Sequence, residues 1–478
     1  MLFRSRDLFE RAETERDARS TEGWLSVYGR QIDNVRTALD WAFSPGGDPA
    51  IGVTLTAAAV PLWFQRSLLA ECHARAERAL GSLGPRPGPD ARREMQLRAA
   101  LLVSAMHTKG AAPDAIAAWT TVLEIAERLA DVEYQLRALW GLWHIRISRG
   151  EFRAALEIAR TFSDRVARTA NPADQPVGER LLGASLHYLG DLANARRHLE
   201  HMLDHYVVAA RQSHTIRFQY DQPSVARMIL ARILWLQGFP DQARRAARAT
   251  VEDARAIEHA LSVCGALEVA WLVEIWSGDW AAAERVVVAL LDHSTRHSLA
   301  VWHTRGRCLR GVVLTKRGEV ADGLALLRTT LDELRETSFV PYYPVTFGTL
   351  AQGLAGAGHV TQALATIDEA IGKSERDGER WWIAELLRIK AELVQMAGGP
   401  DAGPAAEAQL LLTLDVARRQ GASSIELRGA TDLARLWHRR GRTEAARELL
   451  APLHGRFTEG FDTADLRAAK SLLESFDA

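Results

Sequence analysis

The sequence predicts an all-α, right-handed solenoid of about ten stacked helix hairpins, and three observations carry that prediction. First, a glycine followed five positions later by alanine or a second glycine recurs along the chain: Gly110/Ala115, Gly150/Ala155, Gly190/Ala195, Gly238/Ala243, Gly278/Ala283, Gly318/Gly323, Gly358/Ala363, Gly398/Gly403 and Gly441/Ala446, with successive spacings of 40, 40, 48, 40, 40, 40, 40 and 43. Second, the flanks of these glycines read as one helix stopping and another starting, as in SRGEFRAALEIA (148–159) and YLGDLANARRHL (188–199). Third, 478 residues with 47% hydrophobic and 25% charged side chains have an ordinary globular composition, at a length that suits several domains or one array growing in a single dimension.

Taken from the N-terminus, Trp24, Tyr28, Ile32, Val35, Leu39 and Phe43 recur at three- and four-residue steps, which predicts one amphipathic helix ended by Ser44-Pro45-Gly46-Gly47. Residues 1–48 are therefore a lead segment, and residues 49–478 the array. An unmarked first hairpin is expected across 50–82, followed by nine marked ones. Each turn glycine accepts the left-handed conformation at a helix C-terminus, and an acid or turn-former usually follows (Glu151, Asp191, Asp279, Glu319) to open the next helix. The small residue at the fifth position lets the second helix cross close to the first. A helix of about 16 residues is roughly 24 Å long, which sets the width of the ribbon. GSLGPRPGPD (81–90), NPADQPVG (171–178) and GGPDAGP (398–404) read as connectors between hairpins. The 48-residue unit 190–238 carries an insertion around HYVVAARQSHTIRFQYDQPS, with Pro223 marking the next start; it is either a longer helix or a surface loop.

Composition excludes several functions. The net charge of −1 argues against a nucleic-acid-coating protein. Cys72, Cys264 and Cys308 form no CxxC pair and suit a reducing compartment. The charged N-terminus lacks the apolar stretch of a secretory signal. Of the longest apolar runs, Ile51–Phe64 contains Pro61 and Ser262–Trp276 contains Glu268 and Glu274, so no membrane span is expected. The expectation is a soluble, cytoplasmic chain.

Candidate chemistry is sparse. His198, His201 and His205 share a helix face at zinc-ligand spacing, but no HExxH accompanies them, and solvated histidines are the simpler reading. Gly372-Lys373-Ser374 ends like a phosphate-binding loop, but the first glycine of such a loop would fall at Ile367. No GxSxG elbow exists, Ser262-Val263-Cys264-Gly265 lacks a base partner, and adjacent acids such as Asp368-Glu369 diverge on a helix. We expect no catalysis, no cofactor and no resident metal. The fourteen tryptophans read mostly as core. Trp381 and Trp382, as neighbours on a helix, are expected to differ in burial.

The hairpin resembles the tetratricopeptide repeat, although a period of 40 exceeds its usual 34. Longer segments, WLSVYGRQIDNVRTALDWAFSPGGDPAIGVTLTAAAVPLWFQ (24–65), SHTIRFQYDQPSVARMILARILWLQGFPDQA (213–243) and SIELRGATDLARLWHRRGRTEAARELLAPLHGRFTEGFDTADLRAAKSLLE (424–474), resemble the C-terminal arrays of large bacterial signalling regulators that carry a winged-helix DNA-binding domain and a STAND-type ATPase. The last segment is also similar to the tails of adenylate cyclase–ATPase fusions. The sequence contains no GxxxxGK[ST] and no winged-helix region, so that family's DNA- and ATP-binding residues have no counterparts to carry over. The resemblance implies a sensor or docking array that restrains or releases an output module, which is supplied in trans if the native polypeptide lacks one. A stand-alone scaffold and a truncated or split regulator remain the alternatives.

The resemblance also implies that the inward wall is built from positions thirteen, ten, six and three before each turn glycine. Only five lysines (Lys109, Lys316, Lys373, Lys390, Lys470) occur among the 59 basic residues, and arginine takes seven of these inward positions: Arg137, Arg180, Arg232, Arg305, Arg388, Arg428 and Arg435. Histidine takes four, His107, His144, His187 and His438, and Trp140 lies in the same frame. Arginine forks suit carboxylates and phosphates, so the expected guest is an acidic peptide, a partner's acidic surface or an anionic metabolite. The competing reading pairs these arginines with Glu268, Glu385 and Glu392 on adjacent helices.

Overall fold

The computed structural model describes residues 2–15, 19, 21–83, 91–110, 113–169, 172–336 and 343–477. All nine turn glycines sit in the left-handed region, with φ between 73° and 93°. A residue bearing a Cβ pays about 1–2 kcal/mol there, which is why glycine keeps the register. Around these turns the helices pair as ten hairpins: Pro49–Gln65 with Leu69–Ser82, Ala91–Thr108 with Ala115–Arg128, Val132–Ser148 with Phe152–Ala167, Gln175–Tyr188 with Leu192–Asp204, Gln222–Leu236 with Pro240–Ala256, Ala260–Ser277 with Trp280–Arg296, Ala300–Lys316 with Val320–Glu336, Tyr343–Gly356 with Val360–Asp377, Ile383–Ala397 with Ala402–Gln420, and Ser423–Arg439 with Thr443–His454. Ala464–Glu474 closes the stack. The described residues contain no strand.

The alanines five positions after the glycines are all buried, because the second helix crosses the first at that point. A Cβ at Gly323 would stand 2.7 Å from the Thr315 backbone nitrogen, so glycine serves where alanine would clash. Asp191 and Asp279 cap the second helices of their hairpins through the backbone N–H of Asn194 and Ala282. A second left-handed series lies between hairpins, at Ala130, Glu258, Ser298, Gly378 and Gly421, each twenty positions before a turn glycine. Three of those five lack glycine, so the sequence pattern did not mark them.

First and second helices bury differently. Second helices such as Phe152–Ala167 bury one stripe and expose the other. First helices are covered nearly all round; in Ala260–Ser277 every residue is buried. That helix is long and apolar enough to cross a membrane, but its apolarity is accounted for by packing on both sides.

The second covering layer comes from the chain winding back on itself. Tyr188 O accepts from the backbone N–H of Arg380 at 2.8 Å, Trp235 O from Ser424 Oγ at 2.5 Å, and Trp276 O from Arg428 at 2.8 Å. Trp276 stacks on Trp382 with centroids 4.8 Å apart and planes 16° from parallel, and meets Trp235 at the same distance. Further along, Asp241 accepts from the backbone N–H of Gly460, and Gln242 binds Glu459. The C-terminal hairpins thus lie on the first helices of earlier ones.

Three expectations need correction. The lead helix is broken: Thr21–Tyr28 and Ile32–Ala42 flank a 3-10 turn at Gly29–Gln31, and a further helix, Leu2–Glu15, precedes them. Gly29 is a weak helix former, and its carbonyl is drawn to Arg66 at 3.0 Å. The insertion is neither a longer helix nor a surface loop but a separate short helix, Arg211–Phe218, with its last five residues buried. Trp381 and Trp382 are both buried, because they precede the helix starting at Ile383 and occupy a turn. Of the connectors, residues 84–90 and 171 lie outside the described residues.

Candidate functional site

The inward positions line two separate cavities. The upper one, of about 160 Å³, is walled by the first helices of six successive hairpins between Ala91 and Lys316. It brings together His107, Trp140, His144, Arg180, Arg232 and Arg305. The lower one, of about 340 Å³, contains Arg388, Arg428 and Arg435.

Periodicity explains the upper assembly. One first helix contributes Trp140 and His144, the next Arg180, the next Arg232 and Met228, and two more Glu268 and Arg305. Pleated helix stacking repeats the same inward stripe in every hairpin, so residues about 40 apart meet across one space. Helix Ala300–Lys316 also touches Ala91–Thr108, which closes this part of the wall on itself.

The charges here are not matched. Both carboxylate oxygens of Glu268 accept from Arg305, whose guanidinium lies 3.9 Å from the Trp302 ring centre. Arg180 is 3% exposed, its Nε has no hydrogen-bond partner, and among the described residues no carboxylate lies within 4 Å of it. Its contact is the face of Trp143, at 4.9 Å. Burial pushes the Arg180 pKa down to about 9. A guanidinium stays protonated at neutral pH, so that shift measures how poorly the charge is solvated. Burial likewise lowers His107 well below the usual imidazole value and His144 to about 3, with neighbouring cations adding to both, so neither ring is charged at neutrality. The Tyr220 phenol is pushed up by burial and stays protonated.

The lower cavity carries more charge but balances it. Arg388 binds Glu385 at 3.0 Å and Asp432 at 2.6 Å, with Glu392 at 3.6 Å. Arg428 binds Asp465 at 2.8 Å and Glu385 at 3.4 Å. Arg435 binds Asp432 at 2.8 Å. Lys316 donates to Gln352, which in turn donates to Glu392 at 2.9 Å. Buried Glu385 is pulled below the ordinary carboxylate range by Arg388 and Arg428, which outweigh its desolvation.

The remaining inward residues lie elsewhere. Arg137 pairs with Glu133 at 2.5 Å and bonds the Tyr134 hydroxyl at 3.2 Å. Arg217 of the inserted helix approaches Glu133 and forks onto Asp174, which also binds His214 at 2.9 Å. His187 is fully buried against Trp381, 5.2 Å away. His438 bonds Thr443 at 3.0 Å. His198 binds Glu179 at 2.6 Å, while the His201 and His205 rings lie 4.1 Å apart with planes tilted by 38°. Among the described residues no group of three or more His, Cys, Asp or Glu is arranged to hold a metal ion.

The inward frame overlooked Tyr220, Trp143 and Trp302. Tyr220 enters the cavity from the end of the insertion, past a left-handed Gln219. Only the irregular repeat length pointed to it. Trp143 lies one residue off the inward stripe beside His144, and Trp302 lies one turn before Arg305, beyond the first position the frame counts.

The tetratricopeptide repeat profile matches residues 224–249 and 427–452. Over 207 residues the chain is 28% identical to an uncharacterized protein of Rhizobium meliloti (strain 1021); the match covers 43% of this chain and spans 20% of that protein's length. The fold is similar to a chain of the APC/C hetero-tetramer Cut9–Hcn1, with a TM-score of 0.56 at 12% identity, covering 99% of this chain and 87% of that one. It is also similar to the Rap protein complexed with competence and sporulation factor, with a TM-score of 0.54 at 11% identity, covering 77% of this chain and 98% of that one. The chain thus carries tetratricopeptide repeats at these two segments, within an all-α helical-repeat solenoid whose architecture is consistent with protein–protein interaction.

Proposed function

We propose that the chain is the recognition array of a signalling or transcription regulator, that it performs no chemistry itself, and that its upper cavity receives an anionic group. The observation that carries this reading is Arg180, a buried cation with no carboxylate within reach among the described residues. Such a charge is costly, and a native fold retains it where a partner supplies the counter-charge. The regulator role is supported by the three long segments that resemble regulator arrays, and an output module would act either in trans or from a longer polypeptide. A stand-alone scaffold is the second reading, favoured by the lower cavity, whose arginines are already satisfied.

Thermal denaturation in the presence of acidic peptides and small organic acids tests the proposal. An acid should raise the midpoint in the wild type and in Arg160→Gln on the outer face, and lose that effect in Arg180→Gln. If no acid stabilises the wild type, or Arg180→Gln responds equally, the reading is wrong.

A further inference from the structure

We propose that the guest of the upper cavity is a small planar monocarboxylic acid, held with its carboxylate against Arg180 and its ring against the aromatic lining. This rests on the recognition reading above and narrows it to one ligand class.

Charge selects the carboxylate. Among the described residues Glu268 is the only carboxylate lining the cavity and is engaged by Arg305, and His107, His144 and Tyr220, which face the space, are neutral. Arg180 is therefore presented with an apolar wall on one side and open space on the other. A guanidinium fork matches two carboxylate oxygens, and exclusion from water strengthens the match.

Size selects a small molecule. A cavity of about 160 Å³ offers roughly ten water positions at about 15 Å³ each, which corresponds to a guest on the order of ten non-hydrogen atoms. For the part of a guest that is seated in the cavity, that is the scale of one ring with an acid side arm.

Shape selects a flat body. Trp140 meets His144 at 5.3 Å, and the His144 and Tyr220 rings lie 6.5 Å apart with planes 20° from parallel. Trp143 backs Arg180 and Trp302 backs Arg305. These rings give the cavity an aromatic lining, against which a flat ring packs with more contact than a branched aliphatic body.

The test uses the full chain and a panel of one- and two-ring aryl carboxylates. Each is paired with its carboxamide, with a saturated-ring acid of equal size, and with an N-acetylated tripeptide ending in a free tryptophan carboxylate. Binding is read by calorimetry and by quenching of tryptophan fluorescence. At least one aryl acid should bind roughly tenfold or more tighter than its amide, and tighter than its saturated analogue. Arg180→Gln should bring the acid-to-amide ratio close to one while circular dichroism shows an unchanged fold. Arg180→Lys, which keeps the charge without the fork, should retain part of the preference. Trp143→Leu should weaken acid and amide alike.

Equal binding of acid and amide, or a preference that survives in Arg180→Gln, overturns the inference. If the tripeptide binds through Arg180 and the free acids do not, the recognition array stands and the small-acid guest is wrong. If neither these nor the acidic peptides bind, both readings fail together.

Discussion

The two cavities of the inner wall are built from the same repeat, in the same register and with the same preferred cation, but differ in where their acids fall. In the lower one Glu385 and Glu392 are inward neighbours of Arg388 on its own helix, and Asp432 and Asp465 approach from the next elements, so every arginine meets carboxylates. In the upper one Glu268 is the only lining acid among the described residues, and Arg305 takes both of its oxygens. An arginine stripe therefore has two meanings in one solenoid. With acids interleaved it ties adjacent hairpins together; without them it leaves a charge for something else to satisfy.

The largest expected effect breaks the lower network. Glu385→Leu removes the carboxylate shared by Arg388 and Arg428 and leaves buried positive charge short of a partner. Loss of one member of a buried pair costs about 3–5 kcal/mol, read as a shift in the denaturant midpoint. Arg180→Met should go the other way. It replaces a poorly solvated charge with an apolar chain among Trp143 and its neighbours, and should raise stability by about 1–3 kcal/mol in the ligand-free protein. If both variants destabilise equally, the distinction between the cavities is false.

Proton linkage separates them more finely. His107 and His144 have folded pKa values depressed below 6.5, the latter to about 3. Between those limits the unfolded state binds the proton and the folded state does not, so stability is complete above pH 6.5 and falls as the pH drops from 6.5 toward 4. Near the lower cavity, Glu379 has the opposite sign. Burial raises its pKa to about 8 against the bond from Trp381, so stability falls as the pH rises from 4.5 to 8. His144→Gln should flatten the acid limb by up to about 1.4 kcal/mol per pH unit, and Glu379→Gln should remove the decline that Glu379 contributes between pH 4.5 and 8. Melting temperatures between pH 4.5 and 8.5 check both; unchanged slopes would remove the assigned groups.

How much of this the sequence disclosed follows from what periodicity encodes. The turn glycines, the alanines behind them and the inward stripe are nearest-neighbour features of each hairpin, and all of them could be located by counting back from a glycine. Ala130, Glu258 and Ser298 adopt the same left-handed geometry with ordinary side chains, so composition hid that second series of turns. The pairing of Arg428 with Trp276 O depends on how far the array twists per hairpin, which no local pattern records. The same holds for Tyr220, whose entry into the cavity depends on the path of the inserted helix. The arginines were visible as a set; which of them lacked an acid was a three-dimensional fact.

The smallest expected effect concerns the contact that keeps the two cavities in one winding. Arg244 reaches Asp462 at 3.0 Å, Gln242 bonds Glu459 through its backbone and its side chain, and Gly460 donates to Asp241, joining residues 217 to 219 positions apart. Asp462 is largely exposed, so the ion pair is screened by solvent and contributes less than about 1 kcal/mol. Arg244→Ala with Glu459→Gln should therefore barely move the global denaturation midpoint. It should instead speed amide hydrogen exchange in residues 455–463, where the chain is held to the earlier turn largely by these bonds. Raising the salt concentration should reproduce part of that change in the wild type. The buried pairs around Glu385 should be indifferent to the same salt, because water and ions do not reach them. If exchange at 455–463 is unchanged in the double variant, the winding is held instead by the tryptophan stack of Trp235, Trp276 and Trp382. The two cavities would then be coupled through their apolar floor, not through their rims.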